Sequence, residues 1–249
     1  MCGRFTLTTP ADVVAAVFRL LHEPQWQPRY NIAPTQPVGV VRHQGGTATP
    51  TPAAASGAHP SGEEGRRFDL LRWGLVPRWA KEPDGGVLMI NARAEGIASK
   101  PAFRAAVRFR RCLIPADGFF EWQKLQRRKQ PFYIRRRDAS VFAFAGLWEH
   151  WEGPDGAVIE SCTIITTEAN DVVRPLHDRM PVILAPAEYE LWLDPQVQDA
   201  QRVLPLLRPC PSEALEAYPV SAQVNRPTTD RPECVAPLAA QLPPQEHGR

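Results

Sequence analysis

Arg111-Cys112-Leu113-Ile114-Pro115-Ala116-Asp117-Gly118-Phe119-Phe120-Glu121-Trp122 is the stretch on which the fold reading turns. It holds two short runs rich in apolar, β-branched and aromatic residues, Cys112–Ile114 and Gly118–Trp122, separated by a gap of hairpin length. Runs of the same kind recur at Phe132–Arg135, Val141–Phe144 and Val158–Thr166. Such spacing predicts a mostly antiparallel β-sheet that curls or closes into a barrel-like shape. Further strands are expected at Pro37–Arg42, Pro181–Leu184 and Tyr218–Ser221. Thr9-Pro10-Ala11-Asp12 ahead of Val13, Val14, Val17 and Leu20 predicts a capped amphipathic helix. A second is expected from Pro101 to Arg110, with Ser99 as cap and Phe103, Ala106 and Val107 on its apolar side, and two more over Pro186–Leu193 and Val197–Leu207. The class is α+β, a single domain with flanking helices.

A chain of 249 residues that is 43% hydrophobic can bury a sizeable core. The domain is expected to span residues 2–225. Residues 44–65 are rich in Gly, Pro, Ala, Ser and Thr without apolar periodicity, and read as a disordered surface insertion. The Pro-rich segment 226–249 reads as a loose tail. No apolar run approaches the roughly 20 residues that cross a bilayer, and no secretory signal is visible, so a soluble cytoplasmic protein is expected. Five widely spaced cysteines without a Cys-x-x-Cys pair argue against a disulfide framework and a structural zinc site. Net charge is only +2, yet Lys100–Arg137 carries twelve Lys or Arg against two acids, Asp117 and Glu121, which leaves the remainder of the chain acidic. Such a block fits a polyanion partner, or equally a solvated helix face followed by a basic hairpin tip.

Cys2 supplies the first candidate for chemistry. Removal of Met1 would leave an α-amine and a thiol on adjacent carbons, with ordinary pKa values of about 8 and about 8.5. That pair can add to an aldehyde and close a five-membered thiazolidine, or the thiol can attack a carbonyl with the amine as its base; a cysteine near a flexible terminus can also be inert. Strand alternation puts Glu121 on the face of Phe119 and opposite Phe120 and Trp122, where desolvation would raise its pKa into the range useful for proton transfer, unless it pairs with one of the many arginines. His177 sits in Arg174-Pro175-Leu176-His177-Asp178-Arg179-Met180-Pro181, between two prolines that can fix an imidazole for acid or base work; a lone histidine is more often structural. Asn91, in Asn91-Ala92-Arg93-Ala94-Glu95, either serves a site or caps the next turn.

Taken together the chain resembles the SOS response-associated peptidase family, whose members covalently capture abasic sites in DNA. The matching pieces are Met1-Cys2-Gly3-Arg4-Phe5, Tyr30-Asn31-Ile32-Ala33-Pro34-Thr35, Trp73-Gly74-Leu75-Val76-Pro77-Arg78-Trp79, Asn91-Ala92-Arg93-Ala94-Glu95, residues 111–122, Ala145-Gly146-Leu147-Trp148-Glu149, Thr163-Ile164-Ile165-Thr166-Thr167 and His177-Asp178-Arg179-Met180-Pro181. The resemblance implies that an exposed Cys2 adds to the ring-opened sugar aldehyde, that Asn91 holds the terminal amine, that Glu121 acts as acid or base, and that His177 assists ring opening. It implies phosphate contacts from Arg4, Arg93, Thr166 and Arg179, with Pro34, Trp73 and Trp122 shaping the cleft or unstacking bases. The implied partner is single-stranded or junction DNA containing abasic sites, bound by a monomer without metal or cofactor, in the cytoplasm and on the nucleoid once crosslinked, during the DNA damage response. Two other readings stay open: a thiol peptidase acting on Met1 or other peptides, and a non-covalent single-stranded DNA binder.

Overall fold

The computed structural model describes residues 2–44, 65–83, 86, 88–126 and 128–238. In chain order the elements are β1 (Phe5–Leu7), α1 (Ala11–Phe18), β2 (Arg29–Ile32), β3 (Pro37–Gln44), β4 (Gly65–Trp73), β5 (Asn91–Arg93), α2 (Ala106–Phe109), β6 (Arg111–Ala116), β7 (Gly118–Lys124), β8 (Lys129–Arg136), β9 (Phe142–Glu152), β10 (Val158–Glu168), β11 (Arg179–Pro181), β12 (Ile183–Leu184), α3 (Tyr189–Leu193) and β13 (Leu215–Pro219). Among the described residues no helix is long and apolar enough to cross a membrane.

Five strands close a barrel. β4 pairs antiparallel with β3, β3 with β6, β6 with β9 and β9 with β10, and β10 returns to β4 in parallel. β10 carries further neighbours: β5 lies parallel to it with Asn91 opposite Ile164, and β11 antiparallel with Thr166 opposite Pro181. A second sheet, in the order β13-β8-β7-β1-β2, flanks the barrel. The α+β, single-domain, barrel-like expectation therefore holds.

Alternation along the second sheet divides its side chains between two clusters. Phe5 and Phe119 face the barrel, where Phe5 meets Trp73 edge-on at 5.1 Å and Phe144 at 5.7 Å, and Phe119 meets Phe144 at 6.0 Å between ring centres. Phe120 and Tyr133 face away and pack with Val220, Val224 and Cys234. Gly118 is needed where these layers cross, since a Cβ there would lie 2.4 Å from the Tyr133 ring.

The strands expected from sequence all form, with shifted ends; Pro181–Leu184 is divided between β11 and β12. The helices fare less well. α1 buries Val14 and Phe18 and leaves Val13 and Val17 exposed, and no side chain caps it, because Thr9 Oγ1 donates instead to Asp117. Over residues 101–110 only Ala106–Phe109 is α-helical, preceded by turns, although Phe103, Ala106 and Val107 do point into the core; Ser99 Oγ bonds the Gly96 carbonyl rather than capping that helix. Residues 197–207 form two short 3₁₀ turns, with Pro205 inside the second. A proline there removes an amide donor and blocks a continuous α-helix.

Arg111 ties α2 and α3 to the barrel. Its buried guanidinium donates to the carbonyls of Val107, Arg108, Trp192 and Asp194, and burial pulls its pKa down to about 10. Residues 45–64, the body of the expected insertion, lie outside the described residues.

The segment from Arg226, expected to be loose, is docked as far as Leu238. Asp230 accepts from the backbone N–H groups of Tyr30 and Asn31 and from Arg29 Nε, and Cys234 is fully buried. Asn31 Nδ2 donates to the carbonyls of Val224, Arg226 and Thr229, and Leu238 N–H donates to Pro219 O. These long-range polar contacts offset the entropy of ordering a Pro-rich strap. Asp230→Ala leaves two backbone donors of β2 without their acceptor, and should lower unfolding free energy by about 1–3 kcal/mol, read from a urea titration.

Candidate functional site

β1 sets the position of the chain start. It lies between β2 and β7, with Phe5 opposite Phe119 and Thr6 opposite Gly118, and Phe120 N–H donates to Arg4 O at 2.9 Å. Continuing antiparallel to β7, the chain carries Cys2 toward Glu121. Asn91, at the head of β5, donates from Nδ2 to the Cys2 carbonyl at 2.9 Å. The Asn91 amide is thus engaged on residue 2 and not in capping the next turn. It is held there because β5 is locked in register beside β10.

Cys2 is fully enclosed, contrary to the expectation of an exposed aminothiol. The reason is topological: β1 is an inner strand, and ahead of the half-buried Gly3 and Arg4 the chain turns Cys2 into the core. Burial, and then the negative charge of Glu121, push the Cys2 thiol well above its ordinary pKa, so in this state it is a neutral thiol.

Glu121 is 3% exposed. Burial raises its carboxyl above the usual range, with positive charge at the amino terminus and on His177 acting in the opposite direction. His177 keeps a third of its side chain open to solvent, at 32%. Its Nδ1 accepts the Arg179 amide N–H at 3.0 Å and lies 2.7 Å from Asp178 Oδ1. The two contacts ask different things of one nitrogen, a bare Nδ1 for the amide and an Nδ1–H for the carboxylate. Cys2, Asn91, Glu121 and His177 come together from β1's leading end, β5, β7 and the turn before β11.

Of the residues expected to meet DNA, Arg93 is exposed at the end of β5, and Pro34 and Trp122 are half-buried. Trp122 Nε1 donates to Asn225 Oδ1 at 2.8 Å. Arg4 donates from Nη1 to Asn31 Oδ1 and to Val224 O, both at 2.7 Å, so β2 and the turn at 222–225 fix its guanidinium. Arg179 forms a two-toothed pair with Glu95 and also donates to Thr166 O. Two expectations are corrected. Trp73 is 0% exposed, with its indole N–H on Ile90 O, and backs the site from the core instead of stacking on bases. Thr166 is also 0% exposed; its carbonyl orients Arg179, and its side chain reaches no phosphate.

Much of the basic block is committed within the chain. Arg110 pairs with Glu149, Arg111 with carbonyls, Arg135 with Glu216 and Arg136 with Asp138. Within the 124–137 cluster it is Arg135 and Arg136 that are paired in this way; Arg127 lies outside the described residues. Sequence reasoning passed over three residues that geometry brings forward. Glu95 engages Arg179, Asn31 engages Arg4, and Trp79, 60% exposed, borders an open cavity of about 510 Å³ with Arg78, Lys81 and His150. All three lie inside matched motifs, which was the one signal available.

This pairing of a barrel and flanking sheet with a chain-start cysteine under a buried carboxylate defines a class already met among known proteins. Residues 1–227 match the family described as SOS response associated peptidase (SRAP), and the chain belongs to it. It is 40% identical over 239 residues to the abasic site processing protein YoqW of Bacillus subtilis (strain 168), covering 94% of this chain and 99% of that one. With the abasic site processing protein HMCES of Gallus gallus it shares 34% over 197 residues, covering 70% of this chain and 58% of that one. A solved structure of a protein from Bacteroides thetaiotaomicron matches with a TM-score of 0.79 at 25% identity, covering 95% of this chain and 100% of that one.

Because the fold holds the Glu121 carboxyl above its unfolded pKa, the charged form weighs against folding. The penalty is absent below the unfolded range, at about pH 4, and grows as pH rises toward the folded value. Glu121→Gln should accordingly raise the urea midpoint at neutral pH and lose that advantage near about pH 4. An equal gain at both pH values would remove the titration from the account.

Proposed function

We propose that the chain, once Met1 is removed, captures abasic sites in single-stranded or junction DNA by a covalent bond through Cys2. The observation that carries this reading is the convergence on residue 2 of the Asn91 amide and the buried Glu121 carboxyl, with His177 close enough for its charge to act on that carboxyl. The names of the relatives, abasic site processing proteins, point the same way.

The chemistry follows from the groups present. The cyclic hemiacetal of an abasic sugar must open before it offers an aldehyde, which calls for a proton to the ring oxygen and removal of one from the anomeric hydroxyl; His177, reachable from solvent and close to Glu121, suits that role. The free amine of Cys2 adds to the aldehyde carbon and expels one water to give an imine. Glu121, whose carboxyl burial raises above the usual range, donates to the leaving hydroxyl and takes a proton back from the amine. The Cys2 sulfur then bonds to the imine carbon while its proton passes to nitrogen, closing a thiazolidine. A buried thiol of raised pKa is slow as a free thiolate, and it is well suited to a step in which the proton leaves with bond formation. Asn91, which holds the Cys2 carbonyl, keeps amine and thiol in one orientation.

Arg93, Arg179 and Arg4 supply charge for flanking phosphates, and Trp122 and Pro34 line the approach. An abasic site offers no base edge, so recognition rests on backbone charge and access to the sugar, which favours strands that are not held in a duplex.

The test is incubation with an abasic oligonucleotide followed by a denaturing gel, with intact mass first establishing loss of Met1. A shifted covalent band is expected. Cleavage of a peptide substrate without that band would turn the assignment to a thiol peptidase, and retained affinity with neither product would leave a non-covalent binder. Cys2→Ala should yield at most an imine that only borohydride traps. His177→Ala should slow capture by about 10²- to 10⁴-fold with nearly unchanged affinity, the range expected for loss of a general acid or base.

A further inference from the structure

We propose that Glu95 sets how weakly the site holds undamaged DNA, by occupying the guanidinium fork of Arg179 that a backbone phosphate would take; this rests on the capture reading above. Glu95 Oε1 accepts from Arg179 Nη1 at 2.7 Å and Oε2 from Nη2 at 2.8 Å. Carboxylate and phosphate compete for the same planar pair of donors. Nη2 also donates to Thr166 O at 2.7 Å, so the fork is fixed in direction and cannot swing to a second anion.

The exposures give the order of approach. The Arg179 side chain is 14% exposed and that of Glu95 60%, so Glu95 stands between the guanidinium and solvent. Hydrogen bonding from Arg179, with the charge of Arg93 adding to it, holds the Glu95 carboxyl below its ordinary pKa, and the residue stays anionic at neutral pH. A carboxylate placed outermost on a surface that must receive a polyanion acts as an internal stand-in for phosphate. Displacing it is feasible because the freed carboxylate returns to water. Undamaged DNA, held by charge alone, meets this competition in full. Abasic DNA is retained by a bond, and the competition affects only its encounter.

The experiment is a salt series of fluorescence anisotropy titrations with an undamaged single-stranded oligonucleotide, on the wild-type chain, Glu95→Gln, Arg179→Ala and the double variant. Glu95→Gln should tighten binding about three- to tenfold at low salt, and steepen the log–log salt slope by about 0.7 for one added single-strand phosphate contact. In the Arg179→Ala background the same substitution should gain nothing. Unchanged or weaker binding by Glu95→Gln, or an equal gain without Arg179, overturns the proposal. A wild-type chain that forms no adduct with an abasic oligonucleotide overturns the capture reading instead, whatever Glu95→Gln does to undamaged DNA.

Discussion

The pairing of Phe5–Leu7 with β7 is the constraint on which the rest depends. Phe5 and Thr6, in register with Phe119 and Gly118, anchor the start of the chain inside a sheet, and the Phe5 ring fastens that sheet to the barrel through Trp73 and Phe144. A terminus normally frays, because few contacts repay its conformational entropy. Here burial of Phe5 and Leu7 does so, and it brings Cys2 to Glu121 with no separate device.

Two electrical environments follow. The centre is dry, and burial there raises both the Cys2 thiol and the Glu121 carboxyl above their ordinary pKa values. The rim is wet and charged, with Arg93 exposed and Arg179 answered by Glu95. In the dry centre each proton movement is governed by a few fixed partners, whereas at the rim salt and water weaken every pair. His177 lies across this boundary, with a third of its side chain open and its Nδ1 between an amide and a carboxylate. A group with that placement can exchange protons with solvent while acting on the buried carboxyl.

The strands were legible because their signal is local: β-branched and aromatic runs with hairpin gaps state their own conformation. Helices were read less well. α1 carries apolar residues on more than one side, so sequence alone could not tell that Val14 and Phe18 face inward while Val13 and Val17 face water. Residues 101–105 carry a helical pattern of burial on a backbone of turns, which periodicity cannot distinguish. At the site, Cys2, Asn91, Glu121 and His177 were named because their residue types and motifs state their chemistry. The enclosure of Trp73 and Thr166 was not legible, since it arises from contacts with Phe5 and from strands on both sides of β10. The docking of the C-terminal strap depends on Asp230 finding the amides of Tyr30 and Asn31, across about two hundred residues, and no window of sequence contains that information.

That clasp has a consequence for the timing of biogenesis. Arg4 is oriented by Asn31 and by the Val224 carbonyl, and Asn31 in turn by carbonyls as late as Thr229. A nascent chain emerging from the ribosome therefore exposes its first residues long before the groups that arrange them exist. Barrel closure waits for β10, and the clasp on β2 waits for residue 230. A product truncated between β10 and residue 230 can thus close its barrel while Asn31, and through it Arg4, lacks part of the clasp that orients it.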